Sequence, residues 1–317
     1  MMAYYNGKPT PHRRRKRRRS QPGLLRLLGY AFGAFVVVGL AVMLIIRGCA
    51  RQSVRAQEPA SAYTDRQAAP LDDTPRDLPV EQAPTWMDDY DIELCTARLP
   101  EGVPEMIVVK AAYIASFNRD TKIPNYVAWH LTSAHTDGPY PRLNNFHEEP
   151  QLAGHGATLG DYRGSGWSRG HMCPAGDNKW DDRAMYDSFS LVNVCPQNAN
   201  LNSGLWNSIE IDCRRWARRF GDVYIICGPV LFNRDHATIG DGEVVVPEAF
   251  FKVVLCLSGE PKALGFIVRN TDGNQKRDLY YNSIDEVERI TGIDFFAALP
   301  DELEDSVEAV ADRELWR

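Results

Sequence analysis

The chain has 317 residues, enough for one large or two small domains, and its 44% hydrophobic and 10% aromatic content is that of a globular protein with a real core. No internal repeat is present, so solenoid and array architectures are excluded. The net charge of −6 conceals an asymmetry: residues 1–50 carry ten Lys/Arg and no Asp/Glu, leaving 26 basic against 42 acidic residues, a balance of −16, for the rest.

The basic run Arg13–Arg19 reads by itself as a nucleic-acid or nuclear-targeting patch. The apolar run beside it changes that reading. Leu27 to Ile46 is an uncharged run of twenty residues, which at about 1.5 Å per residue spans the roughly 30 Å hydrocarbon core of a bilayer. It is too long for a cleaved signal peptide, and Ile45-Ile46-Arg47-Gly48 offers no small-x-small cleavage site. The expectation is a basic cytoplasmic tail at residues 1–25 and a single-pass signal-anchor helix at 26–48. Positive charge on the inner side then places everything after it outside the cytoplasm, periplasmic or extracellular. Lipidation at Cys49 is the alternative, which Arg47 disfavours. Residues 49–85 are rich in Ala, Pro, Asp, Gln and Arg without apolar periodicity and read as a flexible linker.

The folded part is expected from 86 to 300. Met106 to Phe117 reads as one strand entering a second, Asn118 to Thr121 as a turn, and Tyr126 to Thr132 as a half-buried strand. Residues 133–165 carry many Pro, Gly, Asn and His and predict long loops. Val223 to Pro229 and Phe250 to Leu257 are apolar strands of a central antiparallel sheet, with Lys262 to Arg269 as hairpin partner. A helix is predicted from about Ser203 to Phe220, where Trp206, Ile209, Cys213, Trp216 and Phe220 step by three and four into one buried stripe. Ser283 caps a second helix. Residues 301–317 form an acidic tail with a short exposed helix. The fold class is α+β, a central antiparallel sheet flanked by helices and preceded by one transmembrane helix.

Six of the seven cysteines, Cys95, Cys173, Cys195, Cys213, Cys227 and Cys256, lie in the expected folded part. In an oxidising compartment an even number suggests disulfides, with fifteen complete pairings open; Cys227 and Cys256, in apolar strands, also read as reduced core thiols. No C-x-x-C or H-x-x-x-H pair accompanies Cys173 and His171, which disfavours a zinc site there.

The stretch with the most chemistry is Gly164 to Arg219. Closely spaced glycines flank Arg169 and His171, which lets backbone, cation and imidazole converge on one ligand. The order Ser168-Arg169-Gly170-His171-Met172, then Asn193-x-x-Pro196-Gln197, then Leu201-Asn202-x-x-x-Trp206-x-x-x-Glu210-x-x-x-Arg214 resembles the DNA/RNA non-specific endonuclease family, with its His-Me finger (ββα-metal) active site. The resemblance covers roughly residues 86 to 300. It departs at Ser168, where the family usually has Asp.

The resemblance implies a sugar-non-specific endonuclease that leaves 5′-phosphate ends and depends on Mg²⁺, with Mn²⁺ able to substitute. It makes His171 the general base, a role that an ordinary imidazole pKa of about 6.5 suits. It makes Asn202 the direct metal ligand, although Asn in that place also reads as a helix cap. Glu210 would hold metal-coordinated water, and Arg169 and Arg214 would stabilise phosphate charge. Read without the resemblance, Glu210 and Arg214 are an i,i+4 surface pair worth tenths of a kcal/mol. Arg142, Asn193 and Gln197 match residues at or supporting the substrate. DNA and RNA are the implied partners, and nothing points to an obligate protein partner. The acidic balance opposes nucleic-acid binding unless Arg142, Arg169, Arg214, Arg215, Arg218 and Arg219 make the cleft locally basic. No base-reading module is visible, so binding should be salt-sensitive and without sequence preference. A catalytically silent nucleic-acid- or envelope-binding module, or a nuclease-like site for another phosphodiester, remain as alternative readings.

Overall fold

The computed structural model describes residues 89–232 and 235–317. The expected transmembrane helix at 26–48 and linker at 49–85 lie outside the described residues. Among the described residues, no helix is long and apolar enough to cross a membrane.

In chain order the elements are α1 (Asp89–Leu94), β1 (Met106–Val109), β2 (Ile114–Asn118), β3 (Ile123–Thr132), α2 (Leu159–Tyr162), β4 (Ser168–His171), α3 (Asp182–Asp187), β5 (Val194–Gln197), α4 (Ala199–Leu201), α5 (Asn207–Phe220), β6 (Asp222–Val230), β7 (Thr238–Ile239), β8 (Val244–Val245), β9 (Ala249–Cys256), β10 (Lys262–Arg269), β11 (Tyr281–Asn282), α6 (Ile284–Thr291) and α7 (Asp301–Glu308). Seven strands form one sheet in the order β1-β2-β3-β6-β9-β10-β11, with every neighbouring pair antiparallel. The α+β class and the central antiparallel sheet agree with the sequence pattern.

All eight residues of β9 are buried, because the sheet is covered on both faces. The alternation of side chains sorts them: Phe250, Val254 and Cys256 join one core, while Ala249, Phe251, Val253 and Leu255 join the other. The first core contains Trp206, Ile209, Cys213 and Trp216 from the predicted helical stripe, together with Met172, Cys173, Val194 and Cys195 around β4 and β5. The second contains Leu94 of α1, Ile284 and Val287 of α6, and Val307 of α7. Each fully buried large side chain contributes on the order of 2 kcal/mol by removing apolar surface from water.

The turn after β2 is locked by Asn118, whose Oδ1 accepts from the backbone N–H groups of Asp120 and Thr121 at 3.0 and 3.3 Å. The predicted long loop at 133–165 contains only short helical turns, one of them α2, started by a Thr158/Asp161 capping box. The acidic tail is less exposed than its composition suggests. Val307 and Glu308 are buried, and Trp316 is 3% exposed, its carbonyl accepting the Trp216 indole N–H at 2.9 Å.

The disulfide expectation is corrected here: the six cysteines of the folded part, all among the described residues, are free and buried. Each is held inside one of the two cores, where it behaves as a small apolar side chain. Burial pushes the Cys195, Cys173 and Cys95 thiols well above their ordinary range, which makes them poor nucleophiles.

Candidate active site

β4 and β5 pair antiparallel outside the main sheet, with Ser168 opposite Gln197, Arg169 opposite Pro196, Gly170 opposite Cys195 and His171 opposite Val194. α4 begins one residue after β5, and a π-helical turn, Asn202–Trp206, leads into α5. The paired strands, separated in the chain by α3, and the helix that follows them thus carry the predicted motif. The sequence pattern predicts a regular helix from Ser203; the π turn puts an extra residue into its first turn, a distortion common at functional sites. The helix is tied back to the strand by Trp206, whose indole N–H points at the His171 carbonyl at 3.4 Å.

His171 ends β4 and is 5% exposed. Its ring lies between Phe189, edge-on at 4.9 Å, and Phe146 at 5.1 Å. Nε2 is sealed from solvent and has no hydrogen-bond partner among the described residues. Burial, with the nearby Arg142 charge, pushes its pKa down to about 3, so the ring is neutral throughout the physiological range. This replaces the ordinary value expected from sequence.

Glu210 lies on α5, half-buried. Burial raises its pKa to about 7, against the opposing influence of Lys252, Arg214 and Arg142; Asp177 adds to the rise. Arg142 therefore acts on both His171 and Glu210. It is exposed and sits 5.3 Å above the Phe189 ring. Arg169 is partly buried, 5.1 Å from the Phe146 ring. Neither arginine has a carboxylate partner among the described residues, so both cations are available to an anion. Phe146 and Phe189 thus hold His171, Arg169 and Arg142 in one aromatic frame.

The expected Glu210–Arg214 pair does not form. Arg214 instead donates from Nη1 to Asp177 Oδ1 at 2.7 Å, with side-chain exposures of 14% and 1%. Asp177 Oδ2 accepts the Trp129 indole N–H at 3.2 Å. Gly176 makes the pair possible, since a Cβ there would come within 2.6 Å of Arg214 Nη1. Arg215 is likewise occupied, bonded to Asp212 at 2.8 Å.

Asn193 and Gln197, expected at the substrate, are both fully buried. Asn193 braces the turn after His171: its Oδ1 accepts from Cys173 N–H, and its Nδ2 donates to the carbonyls of Cys173 and Ser188, all at 2.8 Å. Gln197 packs across Gly170, where a Cβ would clash with its side chain. Both residues brace the strand pair from inside.

Sequence reasoning misses Asp177 and Lys252. Lys252, on β9, is fully buried, with Nζ 4.8 Å from the centroids of both Trp129 and Trp206. Those two indoles are the ones bonded to Asp177 and to the His171 carbonyl. A lysine in the otherwise apolar run Phe250 to Leu257 is the available signal, since an ammonium is buried only where it has charge or aromatic faces to meet.

The side-chain oxygens of Asn202 and Glu210 have no protein hydrogen bond or ion pair among the described residues. An amide oxygen and a carboxylate are hard donors and suit a Mg²⁺-type ion, which keeps several waters.

A neutral buried imidazole, two arginines without carboxylate partners and free oxygen donors gathered around the β4–β5 pair and α5 suit an anionic ligand. The profile of the DNA/RNA non-specific endonuclease family matches residues 93–302, and the chain belongs to that family. It is 37% identical over 202 residues to the mitochondrial nuclease EXOG of Mus musculus, covering 58% of this chain and 55% of that protein. It is 32% identical over 211 residues to the mitochondrial endonuclease G of Bos taurus, covering 61% and 71%, and 29% identical over 219 residues to a Nostoc nuclease, covering 65% and 78%. The match thus spans about half the length of the EXOG relatives. A solved EndoG/EndoGI complex shares the fold, with a TM-score of 0.60 at 24% identity over 63% of this chain and 89% of that one.

These relatives also correct the cell-membrane placement. EXOG and endonuclease G are named as mitochondrial proteins, and no described helix could span a bilayer.

Proposed function

We propose that this protein is a divalent-metal-dependent endonuclease that hydrolyses phosphodiester bonds of DNA and RNA without sequence preference. The observation that carries it is the strand–strand–helix unit in which a neutral, buried His171 shares the field of Arg142 with Glu210, while Trp206 ties the helix to the His171 carbonyl. Nε2 is sealed from solvent, which leaves Nδ1 as the ring nitrogen that takes the proton from the attacking water. Arg142 and Arg169, free of carboxylate partners, bind the phosphate and balance the charge that develops on it. That phosphate in turn offsets the Arg142 field on His171 and raises its basicity as substrate arrives.

Asn202 would hold the metal directly and Glu210 would anchor its water; Mg²⁺, or Mn²⁺ in its place, would act as a Lewis acid on the phosphate and leaving oxygen. Asn193 keeps the backbone after His171 in register, and Arg214 neutralises Asp177 beneath the helix. Binding is through the backbone phosphates, which every DNA and RNA shares, and is therefore salt-sensitive.

Incubation of the protein with supercoiled plasmid and with a structured RNA, each with Mg²⁺ and with EDTA, tests this. Both substrates are cut in Mg²⁺ and neither in EDTA. Metal-independent retention of nucleic acid without cleavage would overturn the proposal in favour of a silent binding module.

A further inference from the structure

On the other face of the sheet, a group of carboxylates stands without a counter-charge. Asp285 and Glu288 lie three residues apart on α6, on one side of that helix, and Glu308 is the last residue of α7. One carboxylate oxygen from each lies within 4.8 Å of the other two. Glu308 is 5% exposed, and its Oε1 is buried with no hydrogen-bond partner among the described residues. Glu288 is fixed in place by Phe295, whose N–H donates to its Oε1 at 2.7 Å. The nearby arginines are already taken: Arg98 pairs with Asp294 and Arg289 with Glu286.

A carboxylate buried against two others is costly unless it takes up a proton or a cation binds between them. The charged groups that act on Glu308, namely Glu288, Glu304, Asp285 and Asp294, are all acidic, so the group lacks a counter-charge. The geometry favours a cation. Ca²⁺ holds oxygen ligands at about 2.3–2.6 Å, so two ligands on opposite sides of the ion are roughly 4.6–5.2 Å apart. Three oxygens no more than 4.8 Å apart can share one such sphere. The donors are oxygen only, which suits a hard ion and not zinc or copper. Asp285 is exposed, leaving room for the waters that complete the coordination.

We propose that Asp285, Glu288 and Glu308 form a Ca²⁺ site that clamps α6 to α7, on the sheet face opposite His171. Ile284 and Val287 of α6 and Val307 of α7 pack in the core of that face, whereas Met172 and Cys173 beside His171 pack in the core of the other. The site is structural, and it stands apart from the nuclease proposal.

The test uses the full chain carrying Asn202→Ala, which removes the proposed catalytic metal ligand. After EDTA treatment and dialysis, Ca²⁺ is titrated by calorimetry and thermal unfolding is monitored. One Ca²⁺ binds, and the unfolding midpoint rises by roughly 5 °C or more at a hundredfold excess over Kd. Adding Glu308→Gln abolishes that rise. Adding Asp285→Asn, at an exposed position that leaves folding intact, cuts it by at least half. In the otherwise unaltered chain, Glu308→Gln leaves Mg²⁺-dependent plasmid cleavage unchanged. Absence of a Ca²⁺-dependent rise in the Asn202→Ala protein would overturn the site, as would a rise that survives both carboxylate substitutions.

Discussion

Arg214 offers the sharpest test of how the site is built, because its two assigned roles make opposite predictions. As a phosphate ligand it would be dispensable for folding. As the counter-ion of Asp177 it is structural: its guanidinium lies 2.7 Å from a carboxylate that is 1% exposed. Burial already raises the Asp177 pKa, and Arg214 is the largest influence opposing it. Replacing Arg214 with Ala leaves Asp177 with one neutral hydrogen bond, from Trp129, and the more distant Lys252. Breaking one side of a buried pair costs about 3–5 kcal/mol; the 14% exposure of Arg214 and the remaining Lys252 place the expected loss near the lower end, about 3 kcal/mol. Urea denaturation at pH 7 measures it. The double substitution Asp177→Asn/Arg214→Met, which removes both charges, recovers at least half of the loss. An Arg214→Ala protein within about 1 kcal/mol of wild type, yet unable to cut DNA, would refute the counter-ion role and return Arg214 to the phosphate.

The same physics gives three further outcomes. His130 lies between Asp91 at 3.1 Å and Asp222 at 3.3 Å; burial alone would lower its pKa, but the two carboxylates outweigh it and push it up to about 9. A folded-state pKa above the unfolded one gives stability that is complete below about pH 6.5 and is lost as pH rises through 9, by up to ~3 kcal/mol; urea midpoints against pH should show that fall in wild type and not in His130→Gln. The six cysteines of the folded part are buried and reduced, so a thiol reagent labels none of them in native protein and all of them in guanidinium, and reductant leaves the unfolding midpoint unchanged; a reductant-dependent midpoint would contradict this. Lys252→Met removes the largest cationic influence on Glu210, so the acid limb of the cleavage pH profile moves to higher pH; an unmoved limb would mean that Lys252 serves packing alone.

The parts of the fold that depend on local period are readable from the chain. Trp206, Ile209, Cys213 and Trp216 announce one helix face, and the apolar runs at Val223 and Phe250 announce strands covered on both sides. The order of Arg169, His171, Asn202 and Glu210 is readable as a motif. What sequence spacing does not encode is how distant segments meet. Phe146, in a loop, and Phe189, just after α3, close over His171 and move its pKa from about 6.5 to about 3. Asp177, in a Pro- and Gly-rich turn, looks like a surface residue until Trp129 and Arg214 are found on it. Asn193 and Gln197 belong to the motif, but only the pairing of Gln197 in β5 with β4, and the bonds of Asn193 to Cys173 and Ser188, reveal that they face inward. The disulfide expectation rests on an assumed oxidising compartment, whereas the fold leaves the six thiols of the folded part unpaired.

The central claim is that His171 takes the proton from the attacking water while Asn202 holds the metal. Single-turnover cleavage of a short duplex in Mg²⁺, comparing wild type with His171→Ala and Asn202→Ala, tests it most directly. The account predicts losses of about 10²–10⁴-fold in rate for His171→Ala with duplex binding retained, and a raised Mg²⁺ requirement for Asn202→Ala. A His171→Ala protein that cuts within a few-fold of the wild-type rate would contradict it.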